Sequence, residues 1–349
     1  MNYKIEYIPV SKLKTIEKEW RELATGEDMT VFQSYEWNLL LLEKYIPADT
    51  NNYVSIYVII RHFNKICMIA PLWIIKRRFN LINKKGAYIL GIDSFSDYLN
   101  LIYKVFDSEA FDFLIDNICK KYKIKKFYFS QINENTFIYD YIIKRYHIYK
   151  DETEPCVGIK LPSSFNEYSK LLSKHSRQNL RTANNRLIKD CKHIEYNMDD
   201  TLTNKNECIK IRESKLFKKY KQMSNFKIYK YRLKNKLQFR FPKFSPLICY
   251  SKSKIMTARI DNRLSAFFNY LYDDSHNKIV ILCAGTELEY ARYSPGMLLM
   301  YNFIKKVIDE GKYTEVDLTR GDESYKFALG GKLNNNHYLV FTNKTCNHN

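Results

Sequence analysis

The runs Arg263-Leu264-Ser265-Ala266-Phe267-Phe268-Asn269-Tyr270-Leu271-Tyr272 and Lys278-Ile279-Val280-Ile281-Leu282-Cys283 flank the polar link Asp273-Asp274-Ser275-His276-Asn277. The first run is rich in aromatic residues, the second in β-branched ones, and the link is made of turn formers, which predicts adjacent antiparallel strands. Upstream, Lys254 to Ile260 joins the first run through Asp261-Asn262, a tight-turn pair, and completes a meander. Downstream, Gly285 to Gly296 reads as a loop and Met297 to Glu310 as an amphipathic helix, stopped by Gly311 where a helix favours glycine. Strand Thr314 to Leu318, a polar segment to Gly331 and strand His337 to Phe341 follow. Meander, loop, helix and strand predict an α/β (α+β) lobe whose mixed, mostly antiparallel sheet is flanked by helices.

Before the meander lie two helical stretches, Ser164 to Lys189 and Asn204 to Tyr220. The first half of the chain follows a similar order. Strand Tyr3 to Ile8 ends at Pro9, a helix from Ser11 to Leu23 has Ser11 as its expected cap, and Ser34 caps a second helix carrying Trp37, Leu40 and Leu41. A hairpin, Tyr53 to Arg61 with Ile66 to Lys76, is continued by Tyr98 to Tyr103. Helix Glu109 to Tyr122, strand Lys126 to Gln131, helix Thr136 to Tyr146 and an extended piece to Leu161 complete the half. A length of 349 residues suits two such lobes, expected at 1–160 and 161–349.

Hydrophobic residues make up 45% of the chain and aromatics 15%, enough to bury a core, which excludes disordered and low-complexity classes. The net charge of +19 favours phosphate-bearing partners, although part of that surplus matches the Lys, Ile, Asn and Tyr usage of an AT-rich genome. The cysteines are dispersed without a C-x-x-C pair, so no metal site is expected. Met1-Asn2-Tyr3-Lys4-Ile5-Glu6 has no apolar leader, and Arg61, His62 and Lys65 interrupt the most apolar region. A cytoplasmic protein without a transmembrane span is expected, with peripheral association at the inner membrane face left open.

Two segments carry candidate chemistry. In Tyr293-Ser294-Pro295-Gly296-Met297-Leu298-Leu299, Ser294 is placed to cap, Pro295 to preset the first turn and Gly296 to let a phosphate approach the backbone. The same run also suits an ordinary helix start. In Asp317-Leu318-Thr319-Arg320-Gly321-Asp322-Glu323-Ser324-Tyr325-Lys326, Asp322 and Glu323 offer proton acceptors, Tyr325 a donor, and Arg320 or Lys326 an anion contact. A charged surface loop is the alternative.

Taken together, Phe32-Gln33-Ser34-Tyr35-Glu36-Trp37, Ser176-Arg177-Gln178-Asn179-Leu180-Arg181, Tyr293 to Gly296 and Arg320 to Lys326 resemble the GNAT superfamily. The resemblance is to its CelD/BcsL-like or BioF-like acetyltransferase branch, close to the FemABX transferases. It implies tandem lobes, of which the second keeps the acyl-CoA site and the first lacks it. Arg292-Tyr293-Ser294-Pro295-Gly296 departs from the Q/R-x-x-G-x-G/A phosphate loop of better-known members, keeping only Arg292 and one glycine. Arg292, Ser294, Gly296 and Met297, with the strand edge at Cys283, are then the expected donor-binding residues, with acetyl-CoA the expected donor. FemABX-like use of aminoacyl-tRNA is the alternative donor chemistry.

The expected reaction is acyl transfer to an amine, with Asp322 or Glu323 as base, Glu287 or Glu289 next in line, and Tyr325 protonating the departing thiolate. A covalent role for Cys283 is the lesser option, since buried strand cysteines are usually inert. Lys170, Lys174, Arg177 and Arg181 fall at i, i+4, i+7 and i+11 of the helix expected from Ser164, a basic stripe on one face, with Leu172, Leu180, Ala183 and Leu187 on another. Arg177, Arg181, Arg320 and Lys326 are accordingly the expected contacts to an anionic acceptor. Arg212 to Lys243 adds basic residues interleaved with aromatics such as Phe217 and Tyr229. The acceptor expected from the family is a nucleotide- or lipid-linked amino sugar of surface polysaccharide or cell-envelope synthesis. A noncatalytic nucleic-acid or membrane-surface binder is the rival of another class.

Overall fold

A computed structural model of the chain describes residues 2–44, 53–76, 84–91, 95–201, 203–221 and 245–343, with backbone alone at 53, 215–221, 245 and 246. Its strands are β1 Tyr3–Ile8, β2 Tyr53–His62, β3 Lys65–Ile75, β4 Gly86–Ile89, β5 Lys126–Asn133 and β6 His147–Lys160. They continue as β7 Ile194–Asn197, β8 Lys254–Ile260, β9 Arg263–Asp273, β10 Lys278–Thr286, β11 Glu315–Arg320 and β12 Lys332–Thr342. Two compact units result, Met1–Pro155 with Asn334–Asn349, and Cys156–Leu333.

In the first unit the sheet order is β1-β2-β3-β4-β5-β12. All neighbours are antiparallel except the parallel pair β4/β5. In the second unit the order is β7-β8-β9-β10-β11-β6, again antiparallel except for the parallel pair β10/β11. The two sheets repeat one pattern of order and direction, as the two halves of the sequence suggested. The division differs from 1–160 and 161–349 at its ends. Cys156 to Lys160 of β6 join the second unit by pairing with β11, and Asn336 to Thr342 of β12 join the first by pairing with β5. Strand partners are chosen by edge availability across the whole chain, so local patterning did not reveal this exchange.

Turn chemistry set the meander. Asp261 and Asn262 both have positive φ, 48° and 66°, which gives the primed turn that matches strand twist, and Ile260 pairs with Arg263 across it. The helix Pro295–Glu310 buries Leu299, Phe303, Ile304 and Val307 along one face. The Phe303 ring meets Phe268 and Tyr270 of β9 at 4.9 Å each. In the first unit Trp20, Tyr57, Phe127, Phe129 and Phe341 are buried in one core cluster.

Three sequence expectations need correction. Ser11 does not cap a helix; Val10–Ile16 is a 3₁₀ turn entered from Pro9, followed by Glu17–Leu23. Tyr98 to Tyr103 is not a strand but meets β3 only at the Ile69 and Ile102 bridge, and β4 takes the sheet position. The helix expected from Ser164 to Lys189 is two, Phe165–Leu171 and Lys174–Lys189. Leu172 is extended, and the Ser173 Oγ accepts from the Ser176 N–H at 3.0 Å to start the second. Most of the basic Arg212 to Lys243 stretch lies outside the described residues. Among the described residues no helix is long and apolar enough to cross a membrane, and no group of three His, Cys, Asp or Glu could hold a metal ion.

Candidate active site

The parallel strands β10 and β11 stay in register only from Lys278/Glu315 to Val280/Asp317, although both run on. Two local devices open this fork. In β10 the register against β9 shifts between Ile281 and Cys283, a bulge at Leu282 that turns the strand away. In β11, Thr319 takes φ of 55°, costly by about 1–3 kcal/mol for a β-branched residue. The Thr319 N–H donates to Asp317 Oδ1 at 2.7 Å, and its hydroxyl donates to the Ile281 carbonyl at 3.1 Å, across the mouth of the fork. Asp317 itself is 5% exposed.

After β11 the chain curls through Gly321, φ 106°, into the short helix Ser324–Ala328. Lys326 lies beneath this corner at 2% exposure. Its Nζ donates to the carbonyls of Thr319, Arg320 and Gly321 at 3.0, 2.6 and 3.1 Å, and lies 3.2 Å from Glu323 Oε2. An ammonium has three donors, so nothing is left for a ligand. Lys326 is therefore no anion contact, contrary to the sequence expectation. Glu323 folds back over Gly321, where a Cβ would sit 2.4 Å from Oε2. Asp322, next to Gly321 on this corner, is exposed. Arg320 is half-buried and pairs with Cys156 in the sheet.

Tyr325, the second residue of the short helix, lies near the Glu323 carboxylate and is 39% exposed. Burial of its surroundings, then the Glu323 carboxylate, push its phenol up to about 12 against the opposing charge of Arg212. It stays an O–H donor through neutral and mildly alkaline pH. Arg212, from helix Lys205–Lys221, donates to the Ala284 carbonyl of β10 at 3.1 Å. The sequence reading treated Arg212 only as the start of a basic stretch. The buried Cys208 and Ile211 marked the inner face of its helix, and Arg212 falls four residues after Cys208.

Donor-side residues are arranged differently from expectation. Ser294 is left-handed, φ 49°, and its side chain does not cap. The Met297 N–H is already spent on the Ser294 carbonyl at 3.0 Å, which leaves Gly296 as the first-turn amide of the helix. The space that a side chain at Gly296 would need is held by Thr286 Oγ1, 2.8 Å from the Cβ position, so this glycine serves the close approach of β10 to the helix. Arg292 pairs with Asp190 at 3.0 Å, and Asp190 also accepts from Tyr293 OH at 2.7 Å, which ties the 3₁₀ turn Leu288–Tyr293 to the end of Lys174–Lys189. Cys283 is buried, donates to Asn269 Oδ1 at 2.9 Å and is pushed up to about 12 by burial, so it is no nucleophile. Glu287 caps the 3₁₀ turn at Leu288 N, 2.9 Å away, and Glu289 is exposed.

The helix break separates Lys170 from the basic stripe, while Lys174, Arg177 and Arg181 stay at i, i+3 and i+7 of the helix Lys174–Lys189. The Arg177 guanidinium donates to the carbonyls of Ser169 and Leu172 at 3.2 and 2.5 Å, closing the end of Phe165–Leu171, and so is structural. Arg181 is exposed on the following helix.

Residues 252–327, from just before β8 to the Lys326 corner, match the Acetyltransferase (GNAT) domain family. No curated protein matches the chain significantly. Among solved structures the chain is similar to FemX, at 10% identity and TM-score 0.57 over 96% of this chain and 97% of that one. A conserved protein of unknown function from Bacteroides thetaiotaomicron is similar at 11% identity and TM-score 0.54, over 97% and 99%. A tandem GNAT protein from the clavulanic acid biosynthesis pathway gives 8% identity and TM-score 0.47, over 97% and 98%. The structural likenesses concern the fold. The domain match spans the fork, the Pro295–Glu310 helix and the corner, and it makes the chain an enzyme of the acyltransferase class.

Proposed function

We propose that the second unit moves an acyl group from acyl-CoA, acetyl-CoA first, to the amine of an amino sugar that is nucleotide- or lipid-linked, in cell-envelope or surface-polysaccharide synthesis. The observation carrying this reading is the fork opened at Leu282 and Thr319, with Asp322 and Tyr325 on the corner beside it. Surfaces rich in cations suit a phosphate-bearing donor and acceptor, and the chain carries +19.

An alkylammonium, with a pKa near about 10, must lose a proton before it attacks a carbonyl. Glu323 is held by Lys326, so Asp322, exposed on the same corner, takes that proton. Backbone N–H groups on the β10 edge past Ile281, freed where pairing with β11 stops, polarise the thioester carbonyl. Tyr325 then donates its proton to the thiolate as the tetrahedral adduct collapses. Gly296 and the dipole of the Pro295–Glu310 helix face the donor's phosphates.

Calorimetry with CoA tests the donor. Gly296→Val, which drives a side chain into Thr286, is expected to weaken binding at least about tenfold, the loss of a close backbone contact. Equal affinity, or no binding by the wild type, removes the CoA reading. The large basic surplus also favours a second reading, aminoacyl transfer from charged tRNA. Transfer of label from aminoacyl-tRNA and not from acetyl-CoA selects it.

A further inference from the structure

Three consecutive carbonyls, of Thr319, Arg320 and Gly321, converge on the Lys326 ammonium, and this convergence requires the two left-handed residues Thr319 and Gly321. Carbonyl oxygens turned toward one point repel each other unless a cation lies between them. Here a cation does, buried at 2% exposure with Glu323 as its fourth neighbour. The Lys326 carbonyl is used as well: it accepts from the Gly331 N–H at 3.0 Å, so the helix that carries Tyr325 is closed at its far end by the same residue. A Cβ on Gly331 would sit 2.3 Å from Val157, so that closing turn has no room to shift toward β6.

We infer that Lys326 is a positioning residue: its ammonium holds the β11 corner in the conformation that keeps the fork open and sets Asp322 and Tyr325 beside it, without touching substrate. The inference rests on the acyltransfer reading for its kinetic consequence, but the corner itself can be tested without any substrate. Lys326 acts through four acceptors of its own chain, and its effect on chemistry is one of geometry. A displacement of about 1 Å at a reacting group costs roughly 10²-fold in rate.

The test compares wild type with Lys326→Met, which keeps the apolar stem, and Lys326→Arg, which keeps a donor cation. Amide hydrogen exchange without ligand is expected to rise at 317–328 in Lys326→Met, to be unchanged in β9, and to return toward wild type in Lys326→Arg. With acetyl-CoA and glucosamine as probes, kcat is expected to fall about 10²-fold in Lys326→Met with the KM for acetyl-CoA within about threefold. Unchanged exchange at the corner overturns the inference. So does a raised KM with unchanged kcat, which would make Lys326 a substrate contact. Should Lys326→Met fail to fold, Thr319→Gly is added, because glycine adopts the positive φ without strain. Recovery of the fold supports the inference, and failure of this pair together with failure of Lys326→Arg to fold overturns it. If wild type neither binds nor turns over acetyl-CoA, the donor reading falls while the exchange measurement still decides the role of Lys326.

Discussion

Neighbouring residues of like chemistry have taken opposite tasks. Asp322 and Glu323 are adjacent carboxylates, yet Glu323 leans on a buried ammonium and Asp322 faces water. Asp322→Asn removes the proposed base and is expected to lower kcat about 10²–10⁴-fold with the KM for acetyl-CoA preserved. Glu323→Gln is expected to lose rate through the corner, with raised amide exchange at 317–328. Steady-state kinetics and amide exchange of each variant check this, and an exchange of the two results exchanges the roles. The sequence displayed the acids, the tyrosine and the lysine, but not their division of labour. Lys326 among Glu323, Tyr325 and Arg320 reads as an anion contact until the backbone brings three carbonyls onto it. Thr319 gave no sign at all, since a threonine in a strand is ordinarily extended.

Where elements begin and end, the side chains that cap them carry the information. Asp261-Asn262 and Gly311 were legible because few residues tolerate the left-handed backbone found there. The break at Leu172 was not, because Ser173 caps only if the chain has already stopped, and leucine is at home inside a helix. The break gives Arg177 its role. Arg177→Ala leaves the carbonyls of Ser169 and Leu172 without their donor and is expected to cost about 1–3 kcal/mol. Arg181→Ala, exposed on the same helix, is expected to stay within about 0.5 kcal/mol. Urea unfolding of both variants separates a structural arginine from one free to meet an anionic acceptor, and equal losses contradict the assignment.

For the molecule as a whole, the repeated strand order of the two units was foreshadowed by the parallel grammar of the two halves, while the exchange of strands at their ends was not. Phe341 of β12 stacks on Phe127 of β5 at 5.3 Å and is fully buried in the first unit. Phe341→Ala is expected to cost about 3–5 kcal/mol. Its loss of amide protection is expected in β5 and not in β9, which hydrogen exchange resolves; uniform loss would mean that the units do not open separately. β12 also has a consequence in time. A nascent chain leaves the ribosome from its first residue onward, and domains ordinarily fold in that order. Here the open edge of β5 has to stay uncapped until the entire second unit has been translated, because the residues that cover it, Asn336 to Thr342, come after that unit. The first unit to be made is the last to be finished, and until then its exposed edge needs guarding against other chains.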